Sequence, residues 1–177
     1  MLTTGLLLMI AQMSIEPIIT VYVAQFVEPA RVTFVAGVVM SVAALGSILS
    51  ASHLGKFADR VGHWTVITAS LAVSALLLIP QAFVDSGWQL IVLRFLMGLA
   101  LGGLLPCIAA VIRHNVPETI AGGILGYSVS AQYAGQVIGP LAGGFVGGHI
   151  GMRAVFLGTS ALMAAGAIGN FMAAKRR

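Results

Sequence analysis

The chain has 177 residues, of which 59% are hydrophobic and only 8% charged, with a mean hydropathy of +1.03 and a formal net charge of +4. Soluble domains carry about a quarter of their residues as charged side chains, so this composition excludes a soluble enzyme or binding module and points to an integral membrane protein. The basic balance does not imply nucleic acid, because the charges cap apolar runs and form no continuous patch.

A membrane-crossing helix needs about 20 mostly apolar residues. Six such stretches are expected at approximately 2–26, 33–54, 65–84, 88–112, 120–147 and 154–174. The runs are continuous and about twice the length of the ~10-residue strands of a barrel, so the predicted fold is all-α. It is an integral membrane six-helix bundle, in one transmembrane domain over residues 1–177. Short joining loops leave no room for a soluble module.

The first stretch follows Met1 almost at once, without the positive n-region of a secretory signal. It is expected either to stay uncleaved or to be preceded by further chain. Glu16 sits in mid-span, with Pro17 after it and Gln12 one turn before. An ionised carboxylate there costs several kcal/mol unless water reaches it, which makes Glu16 the leading candidate for taking up and releasing a proton. The alternative is a polar residue stabilising a bend at Pro17. Met9, Gln12, Met13 and Glu16 share a face, where flexible thioethers suit either varied hydrophobic ligands or packing.

Between the second and third stretches lies GKFADRVGH, Gly55 to His63. Gly55 and Gly62 permit tight turns, while Asp59 and Arg60 can bond across a helix end. The segment reads as a loop, either a gating latch or a solvated connection. In the fourth stretch Arg94 lies about six residues past Trp88, roughly 9 Å at the helical rise, close enough to snorkel outward or to line a cavity. Cys107 is the single cysteine, so neither a disulfide nor a thiolate metal site is expected.

The fifth stretch repeats small residues at Ala131, Gly135, Gly139, Gly143 and Gly147, a pattern that lets another helix nest closely. Pro140 is expected to bend this helix near Gln136. A second stripe, Ser128, Gln132 and Gln136, should avoid lipid and face the bundle or a cavity. Tyr127 and Tyr133 read as cavity surface or as interfacial anchors. Starting the chain inside places Lys56, Arg60, Arg113, Lys175, Arg176 and Arg177 on the cytoplasmic side and only Arg31 and Arg153 outside. Both termini are therefore expected in the cytoplasm.

Three segments recur in a telling order. GKFADRVGH resembles the G x L A D R x G R [RK] signature of the major facilitator superfamily. LIVLRFLMG resembles its L x x x R x x Q G pattern through Arg94 and Gly98, with Met97 in place of Gln. GQVIGPLAGG, Gly135 to Gly144, resembles the G x x x G P x x G G motif of its drug/proton antiporters. With SIEPIITVYV, LLLIP and RAVFL, the whole chain is similar to the carboxy-terminal half of multidrug-resistance members of that family.

The resemblance implies half of a twelve-helix fold, built as two three-helix repeats of inverted topology, that moves substrate by alternating access. It implies proton-coupled export of lipophilic drug-like compounds, for which Glu16, proposed from its own mid-span position, would carry the proton and Arg94 would modulate it. Met9, Gln12, Met13, Gln132 and Gln136 would line the substrate cavity. Gly55, Asp59, Arg60 and Gly62 would form a cytoplasmic gating loop, weakened because His63 and Trp64 replace the usual basic pair. Gly135, Gly139, Pro140, Gly143 and Gly144 would shape a moving helix. No cofactor or metal is expected beyond a proton gradient. The expected partners are the lipid bilayer, an amino-terminal half or a second copy, and a small lipophilic substrate, in a bacterial inner membrane. An inactive partial product remains the alternative. A six-span protease is poorly supported, since GYSV lacks the second glycine of a G x S G serine and no histidine lies in the last span.

Overall fold

The computed structural model describes residues 1–175; Arg176 and Arg177, counted above in the basic tail, lie outside the described residues. Within lipid every backbone polar group must be satisfied inside the segment, and each apolar run accordingly forms helix, with no strand among the described residues. The helices are α1 (Leu2–Ile15), α2 (Ile19–Val23), α3 (Val32–Val61), α4 (His63–Gln81), α5 (Gly87–Leu101), α6 (Leu104–Asn115), α7 (Glu118–His149) and α8 (Met152–Lys175). They form six long helical segments, here called crossings, because α1 continues into α2 through a 3₁₀ turn at Glu16–Ile18, and α5 continues into α6 across Gly102 and Gly103. Five of these segments are both long and apolar enough to cross a membrane. The sixth, α7, is 32 residues long, and Gln132, Gln136 and its many glycines keep its hydropathy below that of the others.

Two turns depend on glycine. α3 stops where Gly62 takes φ 94°, in the left-handed region that side chains disfavour, and α4 begins at the next residue. Gly151, at φ 114°, reverses the chain between α7 and α8. The segment expected as a loop from Gly55 is therefore helical as far as Val61, and only Gly62 leaves the helix. Charges oppose helix only inside lipid, so α3 extends beyond its apolar part into water.

The most extensive interfaces pair α1 with α7, α3 with α5, and α4 with α8. In terms of crossings, the first packs on the fifth, the second on the fourth, and the third on the sixth. Exchanging the first three crossings with the last three maps the first pair onto the second and the third pair onto itself. Each counterpart lies three crossings further along the chain, an odd step, so counterparts run in opposite directions, as an inverted repeat requires. Leu8, Ile15, Ile67, Leu71, Leu90, Ile108 and Phe156 lie at the centre with 2% exposure or less. α3 and α7 are the least enclosed crossings, and α3 leaves Phe34, Leu45, Ile48 and Leu49 exposed.

Candidate functional site

Two crossings are interrupted at matching depths, after the 14 residues of α1 and the 15 residues of α5. The causes differ. Pro17 has no N–H to give the Met13 carbonyl and its ring crowds that turn, so the helix tightens to 3₁₀ over Glu16–Ile18 before resuming. At the second break Gly102 lies against the Ser47 backbone and Ser50 hydroxyl of α3, and Gly103 lies against Leu54. A side chain at either position would push the two helices apart. Gly- or Pro-interrupted segments at corresponding places in two repeats are where transporters build their sites.

A cavity of about 230 Å³ opens beside these breaks, between the first, second and fourth crossings. Its polar wall is Gln12, Glu16, Ser47 and Arg94. Met40, Ala43, Ala44, Met97 and Leu101 supply most of the apolar wall, and Met40 and Ala44 are exposed, so the cavity is open along α3. Drug-sized sites usually measure about 300–1,000 Å³. This cavity is smaller than that range.

Arg94 is 7% exposed, yet its Nε and Nη2 have no hydrogen-bond partner. A buried guanidinium left in this state costs several kcal/mol. Glu16, half-buried, lines the same cavity. The ion pairs among the described residues lie elsewhere, between Arg31 and Glu28 at 3.8 Å and between His63 and Asp59 at 3.4 Å. Glu16 and Arg94 thus line one space without closing on each other, and the two unpartnered Arg94 nitrogens have almost no exposed surface.

The remaining candidates divide between two places. Gln12 joins Glu16 and Arg94, whereas Met9 and Met13 turn into the seam with α7. A Cβ built on Gly135 would lie 2.7 Å from that of Met9, and one on Gly139 would lie 2.6 Å from that of Met13, so each methionine occupies a glycine notch. Gly143 abuts the Ser14 carbonyl. Gln132 lies beside Gly5, its amide 3.5 Å from the Ser128 hydroxyl, while the exposed Gln136 reaches the Met9 sulfur at 4.0 Å. Met9, Met13, Gln132 and Gln136 do not line the Arg94 cavity, because α1 turns that part of its face onto α7. Gly144 stands off the groove with nothing near its missing Cβ, and α7 runs on as helix through Pro140. Tyr127 and Tyr133 are exposed on α7.

At the end of α3, Asp59 and Arg60 are exposed and Asp59 pairs with His63. The His63 ring lies 5.9 Å from that of His114, at the end of α6. Sequence reading overlooked Ser47, whose hydroxyl donates to the Gly98 carbonyl at 3.2 Å while its residue lines the cavity. Ser47 is one of four serines in α3, with Ser41, Ser50 and Ser52, and only the opposing Gly98 singles it out.

The family model described as the Major Facilitator Superfamily matches residues 1–177. The chain is 38% identical over 175 residues to the multidrug resistance protein MdtG of Salmonella typhimurium, covering 98% of this chain and 43% of that protein. It is 39% identical to MdtG of Citrobacter koseri, with the same coverage. An uncharacterised MFS-type transporter of Bacillus subtilis, YuxJ, is 39% identical over 167 residues, 94% of this chain and 43% of its own length. The chain spans less than half the length of these curated relatives.

Proposed function

The chain belongs to the major facilitator superfamily, and from that premise we propose that it is the carboxy-terminal half of a proton-coupled exporter of lipophilic compounds that works by alternating access. Its helices embed it in a lipid bilayer as part of a transporter. The observation that carries the finer reading is the shared cavity of Glu16 and Arg94 at the interrupted first helices of both repeats. An ionisable pair inside a membrane is costly and marks a proton or substrate path.

In this reading Glu16 exchanges a proton with the cavity, and Arg94 sets the charge balance between its two forms. When Glu16 is ionised, Arg94 offsets it; when Glu16 is neutral, Arg94 stands alone. That difference gives the two protonation states different preferences for an open or closed cavity, and such a differential interaction is what shifts a conformational equilibrium. The glycine groove along Gly135, Gly139 and Gly143 lets α7 approach α1 closely, and the Asp59–His63 pair acts at one mouth. An amino-terminal half completes the substrate cavity, which fits a chain that covers 43% of its relatives. The home is a bacterial inner membrane with both termini cytoplasmic, which fits the asymmetry of Lys and Arg. The multidrug names of the MdtG relatives support a lipophilic cargo.

The test is proton-driven efflux of a fluorescent lipophilic cation from vesicles holding this chain with and without its amino-terminal half, in wild type and Glu16→Gln. Efflux that needs both halves and falls by about tenfold or more in Glu16→Gln is expected. Undiminished proton-driven efflux in Glu16→Gln removes Glu16 as the carrier. Efflux by this chain alone replaces the two-half assembly with one made of copies of this chain.

A further inference from the structure

We infer that the Arg94 cavity recognises a zwitterionic amphipathic substrate, one whose anionic oxygen group meets Arg94 and whose cationic or donor group meets Glu16. The inference rests on the transporter reading above and names its substrate class. Two guanidinium nitrogens of Arg94 lack partners although the residue is over nine-tenths buried, and they belong to a residue that lines an open cavity. Charge-assisted, bidentate binding of a carboxylate is what a guanidinium in that state best supports.

Charge decides among the simpler substrate classes. With Glu16 ionised the polar wall carries one negative and one positive group, so the cavity is neutral overall. A monovalent cation gains Glu16 but meets the buried Arg94 charge. A monovalent anion gains Arg94 but meets ionised Glu16, and its binding improves when Glu16 takes a proton. Anion and proton would then travel together, the wrong sign for export against proton entry. A zwitterion satisfies both groups, and its cationic end competes with the proton for Glu16, which is the sign that antiport requires. Gln12 and Ser47 add neutral hydrogen-bonding groups, while Met40, Ala43, Ala44 and Leu101 offer an apolar wall for the body of the molecule.

A pair of rhodamine dyes isolates the anionic group. Rhodamine 6G is a cationic ethyl ester, and its free acid keeps the same xanthylium body while adding a carboxylate. Binding of each to this chain together with its amino-terminal half is read by fluorescence anisotropy, for wild type, Arg94→Lys and Arg94→Gln. The free acid is expected to bind about tenfold or more tightly than the ester in wild type, with the difference reduced in Arg94→Lys and absent in Arg94→Gln. Equal or weaker binding of the acid in wild type overturns the inference whatever the variants do. That result is expected if a carboxylate of the other half already occupies Arg94. Failure of both dyes to bind overturns it too. Discrimination that survives in well-folded Arg94→Gln moves the anion site elsewhere and overturns the assignment. Proton-driven efflux of either dye, measured on the same preparations, judges the transporter reading separately. Efflux without discrimination sinks only the substrate class, and discrimination without efflux sinks only proton-coupled export.

Discussion

The α1–α7 and α3–α5 seams bring helices together by different means, although each leads to one of the charged groups in the cavity. On the first, the glycines sit on α7, and α1 inserts the Cβ ends of Met9 and Met13 into the notches they leave. On the second, glycines come from both sides. Gly46 of α3 faces the Phe95 carbonyl, Gly98 of α5 abuts the Ala43 carbonyl, and Gly102 abuts the Ser47 backbone. Both seams bring backbone against backbone, as where Gly143 abuts the Ser14 carbonyl, but the second is also tied by the hydrogen bond from the Ser47 hydroxyl to the Gly98 carbonyl. A Cβ is fixed to its backbone and does not move with the side-chain rotamer, so neither seam yields without a shift of a helix. The α3–α5 seam therefore differs in drawing its glycines from both helices and in its hydrogen bond, and it carries Arg94, while the α1–α7 seam lies on the side of the proline break.

The comparison breaks most visibly at the tightest point of the α3–α5 seam. Gly98→Ala places a methyl group against the Ala43 carbonyl, and only separation of the two helices relieves it. A loss of about 3 kcal/mol is expected, the upper part of the overpacking range, read as the midpoint of thermal or denaturant unfolding in detergent. Gly139→Ala meets the Met13 Cβ and the Ile10 carbonyl, which move only with α1 but lie less close than the Ala43 carbonyl lies to Gly98, and about 2 kcal/mol is expected. Equal losses in the two variants would show that closeness of approach does not set the cost.

The two interruptions offer a test of sign. Pro17→Ala restores an N–H to the Met13 carbonyl and removes the ring clash. Much of the roughly 3 kcal/mol proline penalty is already relieved by the 3₁₀ turn, so a gain of about 1 kcal/mol is expected. Gly102→Ala, at the equivalent break, drives a methyl group into Ser47 and Ser50 and is expected to destabilise by about 2 kcal/mol. Stabilisation by both would mean that the second break, like the first, arises within its own helix instead of from the neighbour it touches.

This contrast explains what the sequence reveals. An all-α membrane bundle follows from composition, and the α7 groove is visible because its glycines recur every fourth residue on one helix. The α3–α5 seam divides its glycines between two helices, and the single four-residue step from Gly98 to Gly102 is too short to mark the crossing until the helices are placed. Glu16 before Pro17 announces a break through chemistry carried by adjacent residues. Gly102 and Gly103 announce nothing, since a glycine pair becomes an interruption only through what packs on it. Met9, Gln12, Met13 and Glu16 occupy an arc of roughly 100° on α1, wide enough to face two neighbours, and no periodicity assigns the methionines to one and the polar pair to the other. The end of α3 reads as a loop because its charges contrast with lipid-facing residues, although in water they are compatible with helix.

The smallest expected effect sharpens the comparison from the open side of α7. Gly143 is seated on Ser14, but at Gly144 a built Cβ finds no atom within 4 Å. In this chain alone Gly144→Ala therefore meets no clash, and alanine gains up to about 1 kcal/mol over glycine in a helix interior. A small rise in unfolding midpoint is expected. With the proposed amino-terminal half present, the same substitution reports whether that half approaches α7 on this face. A midpoint that rises equally in both preparations leaves Gly144 facing lipid or open space. A rise in the chain alone that becomes a loss in the assembly places a second close helix contact there, back to back with the one at Gly143, and makes α7 the helix held between the two halves.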